Sequence, residues 1–214
     1  MFTEALLALL ESDAGHPRSA EARARNAVVL ARELGLSGIS SSALAHHALG
    51  EALLAQGKNH DAERELERAE TLRRAPEPRL DHAHTLLALV SARIARGRLT
   101  LAASELEAAR EQLDSFTGVG RLGPLAAYVA QLLERAGADP ERPVEQLSLA
   151  ELQVARLLAT DLSQREIAGE LFVSINTVKT HTRNLYAKLG VNSREEAIRR
   201  ANELELLETG DSPG

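Results

Sequence analysis

The sequence predicts an all-α chain of two domains. Ala, Leu, Glu and Arg dominate at helical spacing through the first 137 residues, and this part has no alternating β-branched runs of the kind that form strands. A stretch with two prolines and no apolar periodicity follows, and then a run of short amphipathic segments, several of them opened by serine. We therefore expect a helical array at 1–137, a linker at 138–146, a compact helical domain at 147–208 and a flexible tail at 209–214.

Composition limits the environment of the chain. It has 214 residues, 44% of them hydrophobic, and no cysteine, so disulfides and thiolate metal sites are excluded. The first residues contain a short leucine-rich run without a basic segment before it, and no stretch approaches the roughly 20 apolar residues that a membrane span needs. We expect no signal peptide and no membrane anchor, and a cytoplasmic location.

Glycines mark a repeat in the first 137 residues. Gly15, Gly57, Gly97 and Gly137 lie 42, 40 and 40 residues apart. After each of the first three, a triplet with small residues at both ends recurs at the same offsets. The triplets are Ala20, Ala24, Ala27; Ala62, Leu66, Ala69; and Ala102, Leu106, Ala109. Small residues let two helices pack closely, and a glycine can end a helix and let the chain reverse. The period predicts three helical hairpins and a final capping helix at 124–135.

This pattern resembles the tetratricopeptide repeat (TPR). It departs from that repeat in its longer period, since the common one is about 34 residues, and in the residues at the usual aromatic positions, which are His46, Leu53, Leu86 and Arg93. The extra residues are expected in loops such as 73–80. The resemblance implies a concave groove for a peptide, a protein partner or a small effector. A spacer or a dimerisation arm is the alternative.

Five histidines in this part could suggest a metal site: His46, His47, His60, His82 and His84. Adjacent residues and i, i+2 pairs do not share a helix face, and no His-x-x-x-His pair is present. We therefore predict no metal site and no cofactor. No carboxylate pair, nucleophile–base set or glycine-rich phosphate loop was found either, so the chain is not expected to be an enzyme.

Two short helices are predicted between residues 163 and 189. Ser163, followed three residues later by Glu166, forms a capping box that opens the first helix, which ends near Phe172. Ser174 is the N-cap candidate of the second helix. Its apolar or half-apolar positions follow a 3-4-3-4 spacing, which predicts one buried face made of Ile175, Val178, Thr182, Leu185 and Leu189.

The opposite face of the second helix carries Lys179, Thr180 and Arg183. Three basic residues and no acidic residue lie between positions 174 and 190, although the net charge of the chain is −6. Arg and Lys can donate to guanine O6 and N7, and a Thr methyl group can contact the thymine methyl. The face is typical of a helix that lies in the major groove of DNA.

The segment LFVSINTVKTHTRNLYAKLGVNSREEAI resembles the DNA-binding domain of LuxR-type (NarL/FixJ-like) transcription regulators, through its TVK-x-H core and its KLGV turn. The similarity runs from residue 147 to about residue 207, with LSLAELQVARLLA as the preceding helix, and implies a four-helix helix-turn-helix domain. The base-reading positions of the family fall on Lys179, Thr180 and Arg183. The phosphate-contacting positions fall on Ser174, Thr177 and Lys188, and further on Arg165 and His181. A packing role for His181 is the alternative.

Two further capping boxes are expected in this domain, at Ser148 with Glu151 and at Ser193 with Glu196. Residues 147–207 hold eight Lys or Arg and eight Asp or Glu, so the domain is neutral overall. A basic face on a neutral domain should bind DNA only moderately, which predicts a homodimer. In LuxR-type proteins the last helix is the usual dimer contact, and the resemblance implies the same role here.

The combination of a TPR-like array with a C-terminal LuxR-type domain resembles the end of the MalT-like, ATP-binding LuxR regulators. The sequence has no G-x-x-x-x-G-K-[ST] motif and no strand–helix alternation of a receiver domain. We expect a sequence-specific regulator that binds double-stranded DNA, with an effector, a peptide or RNA polymerase as further partners. The alternative is a TPR-like adaptor whose C-terminal domain binds a protein, for example RNA polymerase, and not DNA.

Overall fold

The structure, a computed structural model, describes residues 1–75, 77–138, 147–203 and 207. These residues form eleven α-helices, one short 3-10 helix and no strand, which confirms the predicted all-α class. The chain divides into two compact units, residues 1–12 with 16–144 and residues 13–15 with 145–214. None of the described helices combines the length and the apolarity that a membrane crossing requires. Most of the predicted linker and tail lies outside the described residues.

Seven helices form the N-terminal array. They are α1 (Phe2–Asp13), α2 (Pro17–Glu33), α3 (Ala43–Leu54), α4 (Asn59–Arg73), α5 (Leu80–Ala95), α6 (Leu99–Asp114) and α7 (Leu122–Ala138). The C-terminal unit contains α8 (Leu149–Leu158), α9 (Gln164–Glu170), α10 (Ile175–Leu189) and α11 (Arg194–Glu203). The predicted domain extends to residue 208, and residues 204–206 and 208 lie outside the described residues.

Three of the four repeat glycines lie in turns between helices. Gly15, Gly57 and Gly97 have φ of 78°, 71° and 68°, a left-handed backbone that strains any residue with a Cβ. They separate α1 from α2, α3 from α4 and α5 from α6. The prediction that Gly137 also ends a helix was wrong, because this residue lies within α7, which runs to Ala138. One helical glycine costs only about 1 kcal/mol relative to alanine, so it does not by itself end a helix.

The triplets of the repeat are all buried, with exposed fractions of 4% or less. Two of the clusters that they help to form consist largely of alanine. The first contains Ala8, Ala24, Ala48, Leu49, Leu53 and Ala62, and the second contains Ala5, Ala27 and Ala45. Gly50 in α3 shows how close the helices approach, because a Cβ built on it would lie 2.5 Å from Leu66 Cγ of α4. Small side chains thus allow the close helix packing that the sequence predicted.

The array also buries charge. The Glu63 side chain of α4 is 1% exposed and binds three arginines. Its Oε1 accepts from Arg93 Nε at 3.3 Å and from Arg98 Nη1 at 3.0 Å, and its Oε2 accepts from Arg96. Arg93 Nη1 continues to Glu105 Oε1 of α6 at 2.5 Å. An arginine at a position where TPR proteins usually hold an aromatic residue therefore links α4, α5 and α6 through ion pairs.

The C-terminal unit has an aliphatic core. Its buried side chains include Leu152, Val154, Leu158, Ile167, Val178 and Leu185 from α8, α9 and α10, and the smaller Ala197 and Ala201 from α11. In α8 the apolar spacing of the sequence predicts that Val154, Leu157 and Leu158 cover the core, but Leu157 is only half-buried, and Leu152 and Ala155 are buried as well. Ile175 is 36% exposed, contrary to prediction, because the first turn of α10 extends beyond the core that covers Val178.

Candidate nucleic-acid interface

The α9–turn–α10 segment is built by two serine caps. Ser163 Oγ accepts from Glu166 N at 3.3 Å, and the Glu166 carboxylate accepts from Ser163 N at 2.8 Å, so the predicted capping box is present. Ser174 Oγ accepts from Thr177 N at 3.1 Å and starts α10. Between the helices Phe172 has φ of 54°, and Val173 N donates to Ala168 O at 3.0 Å. The predicted tight turn between two short helices is therefore present.

The inner face of α10 is fixed against the core by Val178, Thr182 and Leu185, which are all buried. Thr182 Oγ1 donates to Val178 O at 2.8 Å, so its hydroxyl is satisfied inside the helix. Because a helix has 3.6 residues per turn, burial of these positions turns Lys179 and Arg183 outward.

The outer face presents two cations one helical turn apart. The side chains of Lys179 and Arg183 are both exposed, and neither forms a hydrogen bond or an ion pair with another described residue. Both line an open depression of about 430 Å³. Thr180 is half-buried, and its hydroxyl donates to Asn176 O at 3.0 Å. The Thr180 methyl group and the lone pairs of its hydroxyl oxygen therefore remain available to contact a ligand.

Three of the five predicted phosphate positions lie near the starts of α9 and α10. Ser174 is exposed, and its hydroxyl pairs with that of Thr177 at 2.8 Å. Arg165 is exposed in the first turn of α9. Hydroxyl donors and free backbone N–H groups at a helix N-terminus favour an anion, since the helix dipole is positive there.

Lys188 and His181 have structural contacts. Lys188 Nζ lies 2.6 Å from Glu151 Oε2, and the Glu151 side chain is only 4% exposed. The same carboxylate oxygen accepts from Ser148 N at 2.7 Å, so Lys188 ties α10 to the capping box of α8. His181 is 3% exposed, which fits the packing role that the sequence left open. Their phosphate roles stay predictions.

Sequence reasoning missed one residue that shapes this unit. Arg194, the first residue of α11, donates to three backbone carbonyls: Leu158 O at 3.0 Å, Thr160 O at 2.6 Å and Leu162 O at 2.9 Å. These bonds fix the loop between α8 and α9 to the start of the last helix. The acceptors are backbone atoms 32 to 36 residues away, so the sequence contains no signal for this contact.

The third predicted capping box is modified. Ser193 Oγ accepts from Glu196 N at 3.1 Å, as predicted. The Glu196 carboxylate, however, accepts from Asn192 N at 2.9 Å instead of Ser193 N. The carboxylate therefore bonds to the backbone amide one residue before Ser193, while the Ser193 hydroxyl still caps Glu196 N.

Residues 145–201 match the family described as bacterial regulatory proteins, luxR family. The matched segment contains α8, α9 and α10 and most of α11. It is similar to LuxR-family helix-turn-helix domains. The match supports the resemblance found in the sequence, and it indicates a DNA-binding transcription regulator. No match to a solved structure was found.

A cluster of three possible metal ligands lies in the array, and the sequence pattern alone did not bring these residues together. His47 and Glu51 of α3 and His84 of α5 place one nitrogen or oxygen atom each within 4.8 Å of one another. The prediction of no metal-binding cluster considered only histidine pairs on one helix. The informative spacing was His-x-x-x-Glu, which places two ligands on the same helix face, with the third supplied by another helix.

Proposed function

We propose that the chain is a sequence-specific transcription regulator that binds double-stranded DNA by placing α10 in the major groove. In this proposal Lys179, Thr180 and Arg183 contact base edges. One observation carries it: two exposed cations, whose side chains have no partner among the residues that the structure describes, lie one turn apart on the outer face of α10, inside a segment similar to LuxR-family domains.

The distribution of charge on α10 supports this orientation. Of its three basic residues, Lys188 is neutralised by Glu151, with Nζ and Oε2 2.6 Å apart. The charge that remains is on the side chains of Lys179 and Arg183, which face solvent. Both can donate to guanine O6 and N7, and the Thr180 methyl group suits the thymine methyl. A mixed guanine and thymine preference follows from these three side chains.

Phosphate contacts would position this helix without reading sequence. We assign them to Ser174, Thr177 and Arg165, which offer hydroxyl or guanidinium donors near the N-termini of α10 and α9. For Lys188 and His181, the remaining predicted positions, we propose that they support α10 from within the domain. Their ion pair and burial support that role.

The regulator would act as a homodimer that pairs through α11 and contacts two half-sites about one helical turn apart. The array would receive an effector or a partner protein, as the TPR resemblance implies. The outward face of α11 is polar and carries Arg199 and Glu203, with Nη1 and Oε1 3.9 Å apart. A small polar contact of this kind fits a dimer that becomes stable mainly on DNA.

The proposal is tested by selecting bound sequences from random duplexes with the full chain, and by measuring affinity for the selected site at several salt concentrations. We expect affinity to fall linearly on a log–log plot of affinity against salt. Arg183→Ala should cost roughly 1–3 kcal/mol and relax preference at one base position. Arg165→Ala should weaken selected and random duplexes alike.

Arg110→Ala is the matched control, because it removes the same charge from an exposed position on α6 of the array, where Arg110 Nη1 lies 2.9 Å from Glu107 Oε1. It should leave affinity and base preference unchanged. If no duplex is enriched, or if Arg183→Ala leaves the selected motif as it was, α10 does not read DNA. Binding of RNA polymerase by the wild-type chain without any DNA enrichment would instead favour the adaptor alternative.

A further inference from the structure

Three possible metal ligands converge between α3 and α5. His47 and Glu51 lie one turn apart on α3, and His84 extends from α5. Glu51 Oε1 lies 3.5 Å from His47 Nε2 and 3.1 Å from His84 Nε2. The two imidazole rings are 4.5 Å apart between centroids, at an interplanar angle of 61°. All three side chains belong to the array.

His47 has a buried nitrogen without a partner. Its side chain is 1% exposed, and its Nε2 makes no hydrogen bond in the described part of the chain. Its Nδ1 lies 3.3 Å from Thr85 Oγ1, whose own hydroxyl donates to Asp81 O at 3.0 Å. Since the threonine proton is used there, Thr85 accepts from His47 Nδ1, and the Nε2 lone pair points toward Glu51.

The lone pair and the carboxylate oxygen repel each other unless a proton or a cation lies between them. His47 Nε2 makes no hydrogen bond among the described residues, although Glu51 Oε1 lies only 3.5 Å away. An imidazole lone pair that faces a carboxylate oxygen is the arrangement in which both groups can bind one metal ion.

We infer that His47 Nε2, Glu51 Oε1 and His84 Nε2 bind one divalent transition-metal ion, with Zn²⁺ as the ion that fits best. Bonds of about 2.0–2.1 Å at tetrahedral angles place neighbouring ligand atoms roughly 3.3 Å apart. The two separations from Glu51, 3.5 Å and 3.1 Å, bracket that value. Two imidazoles and one carboxylate favour Zn²⁺ over Mg²⁺ or Ca²⁺, which prefer oxygen ligands.

Neighbouring residues hold the ligands in place, and a fourth coordination position is open to water. Arg73 donates to Thr85 Oγ1 and to Asp81 O, which fixes the threonine that orients His47. The charge of Arg73 is offset by the Asp81 carboxylate, 3.5 Å from its Nε. The side chains of Glu51 and His84 are 23% and 17% exposed, so water can reach the fourth position. The ion would connect helices of two successive hairpins, whether or not the chain binds DNA.

The test is a titration of the full, tag-free chain with Co²⁺, whose visible absorption reports tetrahedral coordination, followed by displacement with Zn²⁺. We expect one Co²⁺ per chain. Glu51→Gln and His84→Asn should abolish saturable binding, and both replace partly exposed side chains with similar shapes. Thr85→Val should weaken binding by about 10–100-fold, because it removes the hydrogen bond that orients His47.

His60→Asn is the matched control, since this histidine is 72% exposed and lies outside the cluster. It should bind Co²⁺ as the wild type does. The inference is overturned if the wild-type chain shows no saturable Co²⁺ or Zn²⁺ binding. It is also overturned if Glu51→Gln and His84→Asn, with helical circular dichroism unchanged, bind as tightly as the wild type.

Discussion

The two units of the molecule start their helices in different ways. In the array, the N-cap residues of α2 to α6 are His16, Ser42, Lys58, Arg79 and Arg98, and none makes a side-chain capping bond. In the C-terminal unit, α8 to α11 each begin with a serine whose hydroxyl accepts a backbone N–H. The array helices are 12 to 17 residues long, and those of the C-terminal unit 7 to 15.

This difference indicates how each unit is stabilised. A short helix has most of its backbone donors in its end turns, so a cap satisfies a large share of them. Longer helices bury more side chains, and the array relies on close alanine packing and on ion pairs such as that of Glu63 with three arginines. Changes of buried side chains should therefore damage the array most, and changes of caps the C-terminal unit.

The largest expected effect comes from Glu63→Gln. Removing one partner of a buried ion pair typically costs about 3–5 kcal/mol, because the other charge is left without compensation. Three arginines would lose their shared carboxylate. We expect a loss of this size in the free energy of unfolding, measured by urea titration. Hydrogen exchange should show faster exchange in α4 to α6 and unchanged exchange in α8 to α11.

Glu67→Gln is the control, because this side chain is 47% exposed and contacts the same Arg93 at 3.3 Å. It should cost at most about 1 kcal/mol. An equal loss of unfolding free energy in both variants would show that the burial of Glu63 does not determine the size of the effect. Destabilisation of α8 to α11 by Glu63→Gln would contradict the restriction of this ion-pair cluster's effect to α4 to α6.

Acid should reduce the difference in the free energy of unfolding between Glu63→Gln and the wild type. Burial raises the pKa of Glu63, but Arg96, together with Arg98 and Arg93, brings it below its usual value of 4.5. A carboxyl with a lowered pKa stabilises the fold fully above its value in the unfolded chain, and this contribution is lost as the pH falls through the folded pKa. Unfolding of both chains at pH 7 and in acid measures this convergence.

The same contrast explains what the sequence could predict. Caps are local, so Ser163 with Glu166 was found from a spacing of three residues, and the outward direction of Lys179 and Arg183 followed from the buried stripe. Contacts between distant residues were not found: Glu63 pairs with arginines 30 to 35 residues away. The His47–Glu51–His84 cluster was missed for the same reason, because α5 had to be placed against α3 before its third ligand was visible.

Alanine substitution at two helical glycines should change stability by an intermediate amount and in opposite directions. Gly50→Ala should destabilise the array by about 1–3 kcal/mol, because the new methyl group would lie 2.5 Å from Leu66 Cγ and force the core apart. Gly169→Ala in α9 meets no atom within 4 Å and should stabilise the C-terminal unit by about 0.5–1 kcal/mol. Urea titrations of both variants show whether the free energy of unfolding falls or rises. A stabilising Gly50→Ala would contradict the close packing of α3 against α4.

The smallest effect tests the caps. Ser163→Ala removes the acceptor for Glu166 N, which lies 3.3 Å from Ser163 Oγ, and should destabilise the C-terminal unit by about 1 kcal/mol. Ser163→Gly should cost only a few tenths of a kcal/mol, because glycine leaves the backbone donors open to water. Hydrogen exchange at the start of α9 separates the two variants. If Ser163→Ala leaves the free energy of unfolding unchanged from the wild type, the hydroxyl does not stabilise this helix, and packing would have to stabilise the C-terminal unit as it does the array.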